Sequence, residues 1–420
     1  MYGGTIKCKV HYFKGKEVYG LACKKELILS MLDFSNTEVA FQSKSDRDLK
    51  RANLLFKVIA SPSVVTFGKW ATSFALTLRL PISGLIKATI FKQFCGGERI
   101  EDCVPRINEL GAFGIGTILD YSVEGKTSDE DFEHTTQIIL STIRMAAESK
   151  HIPFAVFKAS GIGRFDLLEK ASETDPNPDE LTQIEIAAVK SRFERICDAA
   201  ATHGVRLFID AEETWIQPVL DNWTFEMMLK YNSTKAIIYN TVQMYRHDRL
   251  AFLKDQYELA KSHGFIYGVK LVRGAYMEKE RERAQALGYP SPIQPDKAST
   301  DRDYNEALRF MVDHHAHFAL CAGSHNEDSS MLLTQLMAEK NLENSHEKYF
   351  FAQLLGMSDH ISFNLANAGY KVAKYVPFGP VKEVLPYLLR RADENTSVAG
   401  QTGRELGLIS AEVMRRKGKC

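Results

Sequence analysis

LTQIEIAAVKSRFERICDAAATHGVRLFIDAEE, residues 181–213, contains one full period of the pattern that organises this chain. Leu181–His203 carries apolar residues at helical spacing, and Val205–Ile209 is a short β-rich apolar run. That run ends abruptly in Asp210-Ala211-Glu212-Glu213. The alternation recurs from about residue 111 onward. Further apolar runs fall at Ile115–Leu119, Pro153–Phe157, Ala236–Tyr239, Ile266–Leu271, Phe318–Ala322, Tyr349–Ala352 and Val372–Val376. Helical spacing appears between them at Asp129–Ser149, Asp248–His263, Asp303–His315, Ser329–Asn341 and Val381–Asn395. Strand candidates that alternate with helix candidates imply a parallel sheet. Eight such units predict an α/β fold, a distorted (β/α)8 TIM-like barrel over residues 111–400. Met277 to Thr300, with Gly288, Pro290, Pro292 and Pro295, reads as a long loop of the kind that covers a site.

Outside the barrel the sequence is less informative. Residues 1–25 form an extension of unknown role with no apolar core of a signal peptide. Residues 26–110 read as a helical arm, and residues 401–420 as a C-terminal helix with a basic tail. Between Asp48 and Glu98 there is no acidic residue, while Lys57, Lys69, Arg79, Lys87 and Lys92 sit among apolar stretches. Two readings fit: an arm packed on the barrel, or one that also rests on an anionic membrane through residues 49–97.

Composition narrows the function classes. The chain has 420 residues, 45% apolar and 25% charged, which excludes disorder, collagen and a small disulfide scaffold. Lys plus Arg (53) equals Asp plus Glu (53), so no chain-wide basic footprint for nucleic acid exists. No uncharged apolar run reaches the ~18 residues of a spanning helix. Cysteines at 8, 23, 95, 103, 197, 321 and 420 form no CxxC pair, which points to a reducing compartment.

Barrels of this class carry their chemistry at the C-terminal ends of the strands. The polar residues following or ending the runs are Asp120 with Glu124, Lys158, Asp210, Gln243, Lys270 with Arg273-Gly274, Ser324-His325-Asn326, Gln353-Leu354 and Tyr375. Each alone is as easily a cap or a solvated loop residue; convergence on one rim is the argument. A charge inside a barrel strand is costly to bury unpaired, so Lys270 requires a partner or ligand. Farther on, Tyr387, Arg390, Arg391 and Glu394 share one helical face. That face is either solvated, with an Arg390–Glu394 pair, or a paired-guanidinium clamp for a carboxylate.

Eight strings resemble the proline dehydrogenase family in its monofunctional form: FKASGIG (157–163), LFIDAEE (207–213), NTVQMY (240–245), GVKLVRGAY (268–276), AGSHN (322–326), FAQLLGM (351–357), YVPFG (375–379) and YLLRRADEN (387–395). They follow the family's order, and no aldehyde-dehydrogenase segment comes after them. Gly161-Ile162-Gly163 is too short for a Rossmann GxGxxG turn, in agreement with a family that binds FAD on a barrel. The resemblance implies that Arg390, Arg391 and Lys158 hold the carboxylate of L-proline, that Tyr375 and Tyr387 wall its ring, and that Leu354 packs against it. It implies Asp210 and Lys270 as the catalytic pair. The resemblance implies that Lys270 sits near the flavin, where many bacterial members have Arg. Gln243, Arg273, Gly274, Ala275, Ser324, His325 and Asn326 match FAD-contacting stretches, with Ser324 where Thr is common. Glu124 is the expected gate, pairing with Arg390. Hydroxyproline-oxidising relatives tend to carry a smaller residue at Tyr375, so proline is the expected substrate. The resemblance further implies Δ1-pyrroline-5-carboxylate as product and a membrane quinone as electron acceptor. The expected location is cytoplasmic and peripheral on the inner face of a bacterial membrane, or mitochondrial in a eukaryote.

Three rivals follow from the residues. A class I aldolase-type barrel uses Lys158 or Lys270 as a Schiff-base lysine. A metal-dependent hydrolase uses His314, His315, His317 and His325, though the first two fall at a helix end, where a cation suits the dipole; no metal is expected. A non-catalytic membrane scaffold predicts no bound flavin.

Overall fold

A computed structural model describes residues 10–13, 16–19, 32–59, 83–123, 125, 127–173, 178–397 and 401–418. Its centre is a closed parallel barrel of β1 (Ile115–Tyr121), β2 (Phe154–Lys158), β3 (Arg206–Asp210), β4 (Ile238–Gln243), β5 (Tyr267–Val272), β6 (Phe318–Gly323), β7 (Tyr349–Leu354) and β8 (Val372–Phe378). Each strand pairs with its sequence neighbours, and β8 closes on β1 with Tyr375 opposite Ile118. Helices follow the strands, so the alternation in the sequence is realised as a (β/α)8 fold.

The 181–213 stretch shows how local chemistry sets this geometry. Asp179 caps helix Glu180–His203 by accepting from the Thr182 amide at 2.9 Å. Gly204 ends the helix in the left-handed region, at φ +65°, where a side chain is disfavoured, and the chain turns directly into β3. Val189, Phe193 and Ile196 face the sheet in the main core.

Two sequence expectations need correction. Met277–Thr300 is not a long loop: Met277–Leu287 is a helix, and Lys297 opens the next one. MEKERERAQAL is made of strong helix formers, but its exposed, charged surface lacks the apolar stripe by which helices were recognised. The strands also run past their apolar cores. β4 starts at Ile238 and continues through Asn240, Thr241 and Gln243: Thr241 and Gln243 take the inward positions, while Asn240 turns outward and donates to Asp221 of helix Gln217–Tyr231 at 2.8 Å.

The described parts of the arm are packed. Helix Asp46–Ile59 buries Leu49, Ala52 and Phe56 with Phe41 and with Leu408 and Ile409 of the last helix, Gln401–Arg416. Phe91 and Phe94 bury beside Val384, Tyr387 and Leu388. Each such aromatic contributes about 1.5–3 kcal/mol of burial. Lys87 pairs with Glu98. Lys69, Trp70 and Arg79 lie outside the described residues.

Candidate active site

Alternation along a strand turns every second side chain into the barrel. The lower interior is apolar: Phe154, Phe208, Tyr239 and Phe350 are buried together, with Phe154 stacked on Phe208 at 4.2 Å and edge-on to Phe350 at 4.8 Å. Farther up the same strands, the inward positions become ionic: Asp120 on β1, Lys158 on β2, Asp210 on β3 and Lys270 on β5. The register sets Lys158 beside Asp210 and Thr241 beside Lys270.

Asp210, Lys270 and Tyr375 form a closed triangle. The Lys270 ammonium donates to Asp210 Oδ1 and, at 2.8 Å, to the Tyr375 hydroxyl, which donates to the same Asp210 oxygen at 3.3 Å. Lys270 is 5% exposed and lies 4.7 Å from the centre of the Tyr375 ring. A buried lysine without acceptors would be costly, and this arrangement satisfies it. Burial, with Asp210 adding to it, pushes the Tyr375 phenol well above its ordinary range, so the hydroxyl keeps its proton. Burial also raises the Asp120 carboxyl against the pull of Lys158, and Ser122 donates to it at 2.7 Å. Glu212 is pushed up to about 7 by burial, although Ser160 supplies it with a backbone N–H at 3.0 Å and a hydroxyl. Gln243 donates to the Glu212 carbonyl at 2.7 Å.

Beyond β5 and β6 a second set of polar groups converges. Arg273 reaches Asp301 at 2.7 Å, Ser324 Oγ at 2.8 Å and Ser329 Oγ at 3.0 Å, and its guanidinium lies 4.3 Å from the Tyr304 ring centre. Gly274 has φ +137°, and a Cβ there would meet the Tyr245 ring at 2.5 Å, so only glycine fits. Ala275 beside it is exposed. Asn326 caps helix Glu327–Glu339, accepting from the Ser329 amide at 2.8 Å. Burial, reinforced by Lys374 and Arg391, lowers His325 to about 3, which leaves the imidazole neutral.

Helix Leu385–Ser397 packs its first turn near the end of β7. Its Tyr387 and Leu388 bury with Phe91, Phe94 and Met357. Leu354, the last residue of β7, touches both that cluster and the inner barrel cluster that contains Tyr375. Arg391 is 7% exposed, with its guanidinium 5.2 Å from the Tyr387 ring centre. Burial pushes the Tyr276 phenol well up, against the pull of Lys158 and, more weakly, of Arg390.

Glu124 and the Glu394 side chain lie outside the described residues. His314 and His315 bond the helix carbonyls of Phe310 at 2.9 Å and Val312 at 3.2 Å. No group of three potential metal ligands occurs among the described residues. Sequence reasoning missed Ser358, Asp359, Lys374 and Glu405, all buried around the β7 end. Lys374 had the same signal as Lys270, a charge within an apolar run.

Residues 103–404 match the family model described as proline dehydrogenase. A mitochondrial proline dehydrogenase 1 of Dictyostelium discoideum is 36% identical over 384 residues, covering 81% of this chain and 67% of the relative. A hydroxyproline dehydrogenase of Xenopus laevis is 32% identical over 424 residues, covering 92% and 90%. The crystal structure of proline utilization A from Bdellovibrio bacteriovorus, inactivated by N-propargylglycine, superposes with a TM-score of 0.68 at 19% identity, over 92% of this chain and 42% of that one. That likeness concerns the fold, and this chain spans less than half of the larger protein. From the family match and the two relatives together, this chain belongs to the proline dehydrogenase family, oxidoreductases that act on proline.

Proposed function

We propose that the chain oxidises L-proline to Δ1-pyrroline-5-carboxylate with FAD, and that the electrons pass on to a membrane quinone. What supports this reading is the buried Asp210–Lys270–Tyr375 triangle, together with a buried Arg391 on a helix that packs at the end of β7. In this reading Arg390, Arg391 and Lys158 together meet a substrate whose strongest handle is a carboxylate. Charge-assisted bonds in such a site contribute about 1.5–3 kcal/mol each. Leu354, Tyr375 and Tyr387 supply apolar and aromatic walls for a five-membered ring. Held in this way, the ring carbon next to nitrogen is oriented for attack on its hydrogen.

The side chains fit a flavin dinucleotide. Arg273 brings a positive charge, and Thr241 Oγ1 is buried at the mouth with no hydrogen-bond partner among the described residues. The residues that would hold it are Gln243, Lys270, Arg273, Gly274, Ala275, Ser324, His325 and Asn326. When bound, FAD supplies the hydride acceptor, chemistry that no side chain here can perform. Lys270 contributes a fixed positive charge beside the reacting carbon, and Tyr375 keeps its proton to donate to Asp210 rather than to ionise. Glu124 is proposed as the gate that pairs with Arg390.

For the Schiff-base alternative, Lys270 is poorly disposed: its ammonium is engaged by Asp210 and Tyr375. The deciding experiment is a visible spectrum of the purified chain before and after L-proline. Flavin absorption that bleaches on addition supports the reading, and a colourless protein ends it. Membrane contact through residues 49–97 is proposed for the acid-free arm. No helix among the described residues is long and apolar enough to cross a membrane. Neutralising Lys69, Arg79, Lys87 and Lys92 together should reduce co-sedimentation with anionic liposomes; unchanged binding excludes the arm.

A further inference from the structure

The turn after β7 ties three distant parts of the chain to the candidate site. Its last residue, Ser358, has φ +50°, a conformation disfavoured for any residue with a Cβ. Such strain persists only where the surroundings over-determine it, and here they do. The Ser358 N–H donates to Glu405 Oε1 of helix Gln401–Arg416 at 2.9 Å, and the Ser358 hydroxyl bonds His325 Nδ1 at 2.9 Å. Beside them, Lys374 of β8 pairs with Asp359 at 2.9 Å and donates to the carbonyls of Leu354, at 3.3 Å, and Met357. Lys44 of the arm reaches Asp359 at 3.0 Å. Arg404, adjacent to Glu405, pairs at 3.0 Å with Glu327, in the first turn of the helix that Asn326 caps. The terminal helix thus grips the AGSHN turn from two directions, once through Ser358 and once through Glu327.

We propose that Ser358 is a positioning residue for the cofactor: anchored by Glu405, its hydroxyl fixes the His325 ring at the end of β6, so that the terminal helix governs cofactor affinity. This rests on the flavin reading above. A ring held in place before binding loses no rotational freedom on binding, which is how a residue that touches no ligand can raise affinity. Without Glu405, the strained Ser358 is free to relax and to take its hydroxyl away from His325.

Titration of the full-length chain with FAD, followed by quenching of flavin fluorescence, measures the affinity; thermal unfolding without FAD runs beside it. Ser358→Gly keeps the positive φ and the N–H to Glu405 and removes the CH2OH side chain with its hydroxyl. The expected result is a Kd about 10-fold higher, with Tm within about 2 °C of wild type. Glu405→Leu should weaken FAD by a similar factor. Glu405→Gln, whose amide oxygen still accepts from Ser358, should stay within about 2-fold. Combining S358G with E405L should add little, because both break one chain of contacts. Wild-type affinity in S358G overturns the inference, and so does a fully additive double variant. If E405L fails to fold, S358G against E405Q decides alone. A wild-type chain that leaves flavin fluorescence unquenched overturns the flavin reading, and this inference with it.

Discussion

Lys270 and Lys374 are both buried lysines on barrel strands, and they serve opposite sides of the same wall. Lys270 points inward to Asp210 and Tyr375 at the mouth. Lys374 points outward, its side chain fully buried, to Asp359 and two backbone carbonyls beneath the terminal helix. Lys374 is the chain neighbour of Tyr375, so one step along the pleat separates a side chain of the site from a side chain of the scaffold. The chemistry of the pairs is alike; what differs is what they face. The inner pair stands among the ionic residues at the barrel mouth. The outer one is closed off by protein and anchors the turn that carries Leu354 and Ser358.

The sharpest way to break this comparison is to remove the outer lysine. Lys374→Met leaves Asp359 buried with Lys44 as its remaining partner, and should cost about 3–5 kcal/mol in urea unfolding. A loss under about 1 kcal/mol would mean that the outer cluster is not integral to the fold. On the inner side, Arg391→Met should raise the proline KM about 10- to 150-fold, in line with one lost charge-assisted contact, while FAD stays bound. The same is expected of Arg390→Met; untouched proline kinetics in either would remove the clamp.

A smaller effect tests the electrostatics of the mouth. Burial raises Glu212 to about 7 from an ordinary value of 4.5. A carboxyl raised on folding binds more protons in the folded state than in the unfolded one across that window. Its stabilising contribution is full below the unfolded value and is lost as pH climbs toward about 7. The melting temperature of the wild type should therefore fall over this range relative to Glu212→Gln; parallel profiles would show that the site is more hydrated than its burial implies. The smallest effect is expected where neither lysine's situation applies. Lys340 and Asp313 pair at 2.8 Å with side chains 39% and 58% exposed. Lys340→Ala should change stability by about 0.5 kcal/mol or less.

Periodicity and composition alone determine a good deal of this protein. Apolar runs alternating with amphipathic stretches specify a parallel barrel, because a strand covered on both faces must be nearly continuous in apolar residues. The order of polar residues after those runs names most of the rim, and YLLRRADEN marks the paired guanidinium groups on one helical face. Where that reading stopped short, the cause was physical. A polar side chain that lines a mouth resembles the end of a strand, and β4 with its inward Thr241 and Gln243 runs past its apolar core for that reason. A helix with no apolar stripe, Met277–Leu287, left no periodic trace.

Only the tertiary structure could decide that Lys374 faces outward, that Ser358 is held at positive φ by a helix more than forty residues farther on, and that Arg391 lies buried rather than in solvent. Each of these depends on contacts between segments remote in sequence. Such contacts follow from how the barrel closes and what then packs against it, and a local pattern of residue types carries no record of them.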